Sequence, residues 1–146
     1  MTQILIVDPQ TLSREALCRV VDGSGDINVL ASTPDYESTV QAICRHEIDV
    51  VVLDMAGIAD PIEVIADLKQ IRPSVRALVM AGSGEVSGAM HALGAGVDGY
   101  ITKDDDSDTL LTAIRCIASG ARYVCPMVGW HLAMNLLQAF PGTVLH

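Results

Sequence analysis

The chain has 146 residues and a formal net charge of −9; half of its residues are hydrophobic and only 3% are aromatic. This length favours one domain with an aliphatic core. An acidic chain repels a phosphate backbone, so we expect no direct nucleic-acid binding by this segment. No apolar run is long enough to cross a bilayer, and no basic leader precedes the first strand. We therefore expect a cytoplasmic protein without membrane contact.

Cysteines and histidines are scattered along the chain. The four cysteines are Cys18, Cys44, Cys116 and Cys125, with no CxxC spacing. Three of them fall on predicted helix faces, which favours reduced thiols over a disulfide framework. The four histidines are equally dispersed, so the sequence does not favour a histidine metal site.

Short apolar runs that alternate with helical patterns predict an α/β domain. The predicted strands are residues 3–8, 27–32, 48–54, 75–81 and 97–102. The run at 48–54 is almost unbroken valine and leucine, as expected for a strand buried on both faces of a parallel sheet. The second strand is more polar, which indicates a sheet edge.

Helices are predicted between the strands from apolar residues at helical spacing. Thr33 and Pro34 predict the start of the second helix, with Thr33 as its N-cap. Pro61 opens the third helix, and the acidic run 104–106 precedes the fifth. Five alternations with short connections predict a doubly wound, flavodoxin-like domain whose five-stranded parallel sheet has the order 2-1-3-4-5.

The pattern changes after Gly120. Residues 121–124 form a short extended segment, and Pro126 opens a last helix that runs to about Phe140. Its apolar side chains form two stripes, one of Met127, Trp130, Met134 and Leu137 and one of Val128, Leu132 and Leu136. A helix that is apolar on several faces needs more cover than one domain face gives. We expect it to pack against a second subunit or a further domain.

Four strand ends meet at one edge of the predicted sheet, and they carry Asp8, Asp54, Ala81 and Lys103. The switch point of a 2-1-3-4-5 sheet lies between its first and third strands, so Asp8 and Asp54 should face each other. Two carboxylates can hold Mg²⁺ through oxygen ligands. A lysine opposite them can neutralise the charge of a transferred phosphoryl group.

Several stretches resemble the receiver domain of two-component response regulators, in the NarL/FixJ-like (LuxR-type) subclass. They are residues 4–8 with 12–17, 48–54 and, most specifically, 94–104. Residues 118–124 resemble the start of that subclass's linker. The resemblance implies a receiver domain over 1–120, and a linker segment with a C-terminal helix over 121–146. The helix-turn-helix output domain of the subclass is absent from this sequence.

The resemblance also implies roles for individual residues. Asp54 matches the aspartate that accepts a phosphoryl group from a partner histidine kinase, and Lys103 matches the lysine that contacts this group. Asp8, Asp54 and the carbonyl of Ala56 match the Mg²⁺ ligands, and Tyr100 matches the aromatic that reports the switch. Such a domain is not an enzyme; it regulates an output domain or partner by dimerisation, here as a homodimer.

Two departures imply a degenerate phosphorylation site. Pro9 stands where the family has a second metal-binding acid, so Mg²⁺ binding should be weak or absent. Ala81 stands where the family has a hydroxyl residue, so the coupling of phosphate to Tyr100 lacks its first link. The loop 55–60 also lacks the family's usual Met-Pro-Gly turn.

Two other functions remain open from the sequence. One is a phosphorylation-independent interaction module in which Asp8, Asp54 and Lys103 form a structural ion pair or network, and Tyr100 is a partly buried aromatic on an edge strand. The other is a phosphohydrolase that forms an aspartyl-phosphate. Such enzymes usually have a second acid two residues after the nucleophile, where this chain has Ala56.

Overall fold

The computed structural model describes residues 1–139. The strands are β1 (Thr2–Val7), β2 (Ile27–Thr33), β3 (Val50–Asp54), β4 (Arg76–Ala81), β5 (Gly99–Thr102) and β6 (Tyr123–Val124). They form one sheet of order β2-β1-β3-β4-β5-β6, and every pairing is parallel. The predicted flavodoxin-like order is confirmed, and β2 lies at the predicted edge.

A sixth strand extends the predicted five. The sequence predicts only an extended segment at 121–124, because two residues are too few to show a period. The Tyr123 N–H donates to the Asp98 carbonyl at 3.1 Å, and the Cys125 N–H donates to the Tyr100 carbonyl at 3.3 Å. These bonds place β6 beside β5. The interpretation of Tyr100 as an edge-strand aromatic is therefore wrong.

Helices connect the strands and cover both faces of the sheet. They are α1 (Thr11–Asp22), α2 (Tyr36–Arg45), α3 (Pro61–Ile71), α4 (Ala89–Gly94), α5 (Ser107–Ala118) and α6 (Pro126–Ala139). Phe140, the predicted end of the last helix, lies outside the described residues. Over residues 1–139, no helix is long and apolar enough to cross a membrane.

The core lies around the central strands. All five residues of β3 are buried, as are residues 4–7 of β1 and 77–81 of β4. Each fully buried valine, leucine or isoleucine contributes about 1.5–3 kcal/mol relative to exposure. The sheet is therefore a rigid support for the side chains that follow its strands.

The start of α2 differs from the prediction. Thr33 is the last residue of β2, because a residue that precedes proline is held in extended backbone. Asp35 is the N-cap instead, and its carboxylate accepts a 2.9 Å hydrogen bond from the Ser38 N–H. The Thr33 hydroxyl lies 2.6 Å from the buried Thr39 hydroxyl, so it joins β2 to α2 from the interior.

Asp98, which precedes β5, and Gly99, the first residue of β5, have a structural role at the amino end of this strand, away from the carboxyl ends that carry Asp8 and Asp54. The Asp98 carboxylate accepts hydrogen bonds from the Ala77 N–H and the Lys69 ammonium group, both at 2.8 Å. A Cβ on Gly99 would lie 2.9 Å from Leu78 Cδ1 and 3.3 Å from the Tyr123 carbonyl oxygen. These contacts explain part of the motif that resembles receiver domains, and they do so without any role in phosphoryl chemistry.

Candidate functional site

Asp54 and Lys103 form an ion pair at the carboxyl ends of β3 and β5, in which the aspartate is buried and the lysine is partly open to solvent. Lys103 Nζ lies 2.7 Å from Asp54 Oδ2, and the Asp54 side chain is 1% exposed. The Ala56 N–H donates to Asp54 Oδ1 at 2.9 Å. The backbone of Lys103 is fixed as well, since its N–H donates to the Ala81 carbonyl at 2.9 Å. The fold thus presents one carboxylate to one cation with both held by strand ends.

Asp8 lies beside this pair. The β1–β3 register pairs Val7 with Leu53, so Asp8 and Asp54 leave the sheet side by side. Asp8 is fully buried, and its Oδ1 accepts a 2.9 Å hydrogen bond from the Gln10 N–H. Its Oδ2 has no hydrogen-bond partner among residues 1–139. A buried carboxylate oxygen without a donor is costly, so this atom favours a cation beside it.

Pro9 follows Asp8 and lies next to the loop after Asp54. A Cβ on Gly57 would lie 3.6 Å from Pro9 Cγ, so the proline ring packs near the loop that follows Asp54. Gly57 and Asp60 both have positive φ, +77° and +48°. The loop 55–60 therefore contains two residues with left-handed backbone, Gly57 and Asp60. This conformation is uncommon for a residue other than glycine.

The residues present offer oxygen ligands of the kind that magnesium prefers. Across the described chain, no group of three histidine, cysteine, aspartate or glutamate side chains can hold a metal. Asp8 and Asp54 supply two carboxylates, and one oxygen of Asp54 already pairs with Lys103. Mg²⁺ commonly binds through one or two carboxylates and several waters. The unpartnered Oδ2 of Asp8 fits that mode, whereas Pro9 adds no oxygen.

Ala81 adjoins an open space between the loop that follows Asp54 and Tyr100, the predicted switch aromatic. It is the last residue of β4, and its side chain is buried. A cavity of about 350 Å³ adjoins it, lined by Met55, Ala56, Ala81, Gly82, Glu85, Ser87, Gly88 and Tyr100. No hydroxyl from β4 bridges this space.

Tyr100 is buried and holds the β4–α4 loop. Its hydroxyl donates to the Glu85 carbonyl at 2.7 Å. Burial raises the pKa of Tyr100 above its usual value, and the nearby Glu85 and Cys125 raise it further. The Gly84 N–H donates to the Asp104 carboxylate at 2.7 Å. The loop is thus fixed from β5 and from the residue after Lys103, without Ala81.

Two residues of this neighbourhood were not predicted from the sequence. The Arg14 guanidinium donates to the main-chain carbonyl of Asp8 at 2.8 Å, which brings a second cation close to the acidic pocket. Asp104 holds the loop after β4. Arg14 lies six positions after a strand-end acid, in the first turns of a helix, and that spacing was an available signal. Asp104 lies in an acidic run that is typical of a helix start, so the sequence did not indicate its contact with the loop.

The site and fold define a class. A parallel α/β sheet carries a buried aspartate at the end of its central strand, a lysine at the end of β5 and a second acid at the end of β1. These are the features of a phosphoacceptor receiver. The family model described as response regulator receiver domain matches residues 4–115. The chain belongs to this family, and the predicted resemblance to NarL/FixJ-like receivers is confirmed.

Curated relatives support this membership. The transcriptional regulatory protein DegU of Brevibacillus brevis is 31% identical over 131 residues, which cover 89% of this chain and 56% of DegU. The nitrate/nitrite response regulator protein NarP of Escherichia coli K12 is 29% identical over 132 residues, covering 89% of this chain and 61% of NarP. The chain therefore spans less than two thirds of these relatives.

A solved structure of a response regulator has a similar fold. The crystal structure of a LuxR-family two-component response regulator from Aurantimonas sp. SI85-9A1 matches with a TM-score of 0.85 and 26% identity. The match covers 94% of this chain and 99% of that one.

Proposed function

We propose that this chain is an atypical receiver that accepts a phosphoryl group slowly on Asp54 and passes the signal to an output partner by a route that does not use a β4 hydroxyl. The observation that carries the proposal is the 2.7 Å ion pair between Lys103 and the buried Asp54. A nucleophilic carboxylate with a cation beside it is what phosphoryl transfer to an aspartate requires.

The transfer step follows from these atoms. An Asp54 carboxylate oxygen attacks the phosphorus of a phosphohistidine on a partner histidine kinase. The new P–O bond forms as the P–N bond breaks, and the imidazole leaves with the bonding electron pair and takes up a proton. Lys103 moves from the carboxylate to the arriving phosphoryl oxygens and neutralises part of their charge. Bound Mg²⁺ would neutralise more of this charge.

The rate should be low because Pro9 supplies no ligand oxygen. Asp8 and the Ala56 carbonyl would then hold the cation with Asp54, and water would complete its coordination. Arg14 stays near Asp8 as a fixed positive charge. Weak metal binding lowers the occupied fraction of sites at a given Mg²⁺ concentration, so phosphoryl transfer should need more Mg²⁺ than a site with three carboxylates.

The coupling to output should be altered because Ala81 has no hydroxyl. A hydrogen bond to a charged group contributes about 1.5–3 kcal/mol, and many allosteric couplings amount to only about 1–3 kcal/mol. The loss of this one bond is therefore large enough to disconnect Asp54 from Tyr100. The partner regulated in this way is, in our proposal, a DNA-binding output domain or another protein, reached through a homodimer.

A second candidate is a phosphorylation-independent interaction module. It is favoured by the contacts of the β4–α4 loop, which is held by hydrogen bonds to the Tyr100 hydroxyl and the Asp104 carboxylate and by none to Asp54 or Lys103 side chains. A phosphohydrolase is not proposed, because Ala56 offers no second acid near Asp54. The role we propose is therefore that of a receiver, without hydrolase activity.

The test is intact-mass spectrometry after incubation with a small phosphodonor and Mg²⁺. We expect one phosphoryl adduct that accumulates slowly, is abolished in Asp54→Asn and forms faster in Pro9→Asp. No adduct in either the natural chain or Pro9→Asp would favour the interaction module. Steady release of phosphate over many turnovers would instead indicate the hydrolase.

A further inference from the structure

Another cavity lies between the starts of α2 and α3, beside the loop that follows β3. Its volume is about 370 Å³, which is within the range of small-molecule sites. Much of its lining is apolar and comes from Val7, Pro9, Pro34, Ile58 and Val64. Asp8 and Asp54 do not line it, so a molecule bound here would not occupy the phosphoacceptor pocket.

Two departures from the receiver pattern form one wall of this cavity. The first is Pro9, whose ring stands where the family has a metal-binding acid. The second is the loop 55–60, from which Gly57, Ile58 and Asp60 line the cavity. A Cβ on Gly57 would lie 3.6 Å from Pro9 Cγ, so the ring and the loop are close neighbours. The substitutions that weaken the metal site therefore also shape this second site.

The cavity is acidic as well as apolar. Four carboxylates line it, from Asp35, Asp60, Glu63 and Asp67, and among the described residues no lysine, arginine or histidine does. None of the four belongs to the three salt bridges of residues 1–139. Asp35 and Asp67 accept hydrogen bonds from neutral groups, the Ser38 N–H and the Tyr36 hydroxyl. The negative charge of the cavity is therefore not balanced by a basic side chain of the described chain.

Tyr36 stands beside these carboxylates and is 50% exposed. Its hydroxyl donates to Asp67 at 3.1 Å. This hydrogen bond raises the pKa of Tyr36, and desolvation and the negative charges of Asp67 and Glu63 raise it further. An aromatic ring among carboxylates is a favourable place for a cation, because the ring and the charges both attract it.

The spacing of the carboxylates distinguishes a metal ion from a larger cation. Over residues 1–139, no three acidic, histidine or cysteine side chains come close enough together to hold a metal. The carboxylates of the cavity thus line it without converging on one point, whereas a bare metal ion needs converging oxygens. An organic cation can place its charged group among the carboxylates and its body against the apolar wall.

We propose that this cavity binds a small organic cation, in which an ammonium or amidinium group is attached to a compact apolar body. The carboxylates repel anions, so phosphates and nucleotides are excluded. A neutral apolar molecule would use the wall but gain nothing from the four charges. The site goes beyond the proposed function, since neither Asp54 nor Mg²⁺ takes part in it.

The experiment is an NMR titration of the full chain with phenethylamine, in about 0.15 M salt so that distant charges are screened. We expect saturable binding with a dissociation constant below about 1 mM, and shifts at Tyr36, Ile58 and Val64. Two further probes separate the contributions: 2-phenylethanol keeps the body without the charge, and ethylamine keeps the charge without the body. Each should bind at least about tenfold more weakly than phenethylamine.

Variants of exposed residues locate the site. The double variant Asp60→Asn/Glu63→Gln should weaken phenethylamine binding about fivefold, the range expected for two solvent-exposed charge contacts. Asparagine accepts the left-handed backbone of position 60. The matched control is Asp22→Asn/Glu47→Gln, which removes two exposed charges outside the cavity and should change the affinity less than about twofold. Circular dichroism confirms that each variant is folded.

A failure of this proposal is distinguishable from a failure of phosphoryl transfer. Asp54→Asn should bind phenethylamine as the natural chain does. Binding lost in Asp54→Asn would place the amine in the phosphoacceptor pocket and overturn the proposal. The absence of saturable binding would overturn it too, as would equal binding of ethylamine, which would show only a general attraction of cations to an acidic chain. Equal binding of 2-phenylethanol would refute the role of the carboxylates, and so would equal losses in the two double variants.

Discussion

The hydroxyl of Tyr100 donates a 2.7 Å hydrogen bond to the carbonyl of Glu85, across a cavity that Ala81 also lines. The hydroxyl end of the buried aromatic is therefore held by the β4–α4 loop. In a receiver with a hydroxyl at the end of β4, that hydroxyl would link the phosphorylated aspartate to the same loop. In this chain the last residue of β4 is Ala81, which has no hydroxyl.

Restoring the hydroxyl should restore the coupling. In Ala81→Thr, we expect the chemical shifts of Tyr100 and of the β4–α4 loop to respond when a phosphoryl mimic binds Asp54. The added hydrogen bond should favour the altered conformation of the loop by about 1.5–3 kcal/mol, the contribution of a hydrogen bond to a charged group. NMR titration of the natural chain and the variant measures it.

Ala81→Val is the matched control because valine has the shape of threonine without its hydroxyl. If Ala81→Val responds as strongly as Ala81→Thr, filling the cavity is the cause and the hydrogen-bond explanation is wrong.

An acid at position 9 should strengthen metal binding. Pro9→Asp adds a carboxylate beside Asp8, whose Oδ2 has no donor within residues 1–139. We expect at least a tenfold gain in Mg²⁺ affinity, measured by calorimetry or NMR. Without Mg²⁺ the variant should be less stable than the natural chain, since a third acid then adds to the charge repulsion.

Pro9→Ala serves as the control, because it removes the proline ring from its place near Gly57 without adding a charge or a ligand oxygen. A similar gain in Pro9→Ala would mean that loop mobility, and not the missing carboxylate, limits metal binding.

A side chain at position 99 should destabilise the fold. A Cβ on Gly99 would lie 2.9 Å from Leu78 Cδ1 and 3.3 Å from Ile117 Cγ2, and overpacking of this kind costs about 1–3 kcal/mol. Urea unfolding should show a lower midpoint for Gly99→Ala. Gly94→Ala is the control, since no atom lies within 4 Å of its added Cβ. Equal midpoints for Gly99→Ala and the natural chain would refute the clash.

Because Arg115 pairs with Asp26, the free energy of unfolding should depend on pH in the acidic range. Arg115 donates to both carboxylate oxygens of Asp26, at 2.8 and 2.9 Å. These bonds lower the pKa of Asp26 from 3.8 to about 2. A lowered carboxyl pKa contributes stability above the unfolded value of 3.8, and this contribution is lost as the pH falls through about 2.

Because both side chains are exposed, solvent screens the pair and the effect should be small and sensitive to salt. Asp26→Asn should lower the urea midpoint slightly near neutral pH and lose that difference below pH 2. Asp22→Asn, an exposed carboxylate outside the three salt bridges of the described chain, is the control. A difference that persists below pH 2 would contradict the assignment.

The hydrophobic pattern predicted the strands whose ends carry Asp8, Asp54 and Lys103, and the usual order of doubly wound domains then predicted the order of the sheet. Buried parallel strands show unbroken apolar runs, and the carboxyl ends of such strands meet at one edge. What the pattern could not predict depends on contacts between distant residues. The strand β6 has two residues and no period, and its pairing depends on hydrogen bonds to β5.

The same reason explains the details of the site that were missed. Three adjacent aspartates accept from different backbone groups: Asp104 from the Gly84 N–H at 2.7 Å, Asp105 from the Thr102 N–H and Asp106 from the Thr109 N–H. The N-cap of α2 is Asp35 and not the predicted Thr33, because Pro34 keeps the preceding residue extended. Local propensity identifies candidates for such roles, and tertiary contacts select among them.

The central claim is that Asp54 still accepts a phosphoryl group. The most direct measurement reduces the treated chain with borohydride, which converts an aspartyl-phosphate to homoserine, and locates the altered residue by peptide mapping. We predict homoserine at position 54 in the natural chain, in larger yield in Pro9→Asp and absent when Mg²⁺ is removed. Homoserine at another aspartate, or at none even in Pro9→Asp, would contradict the claim.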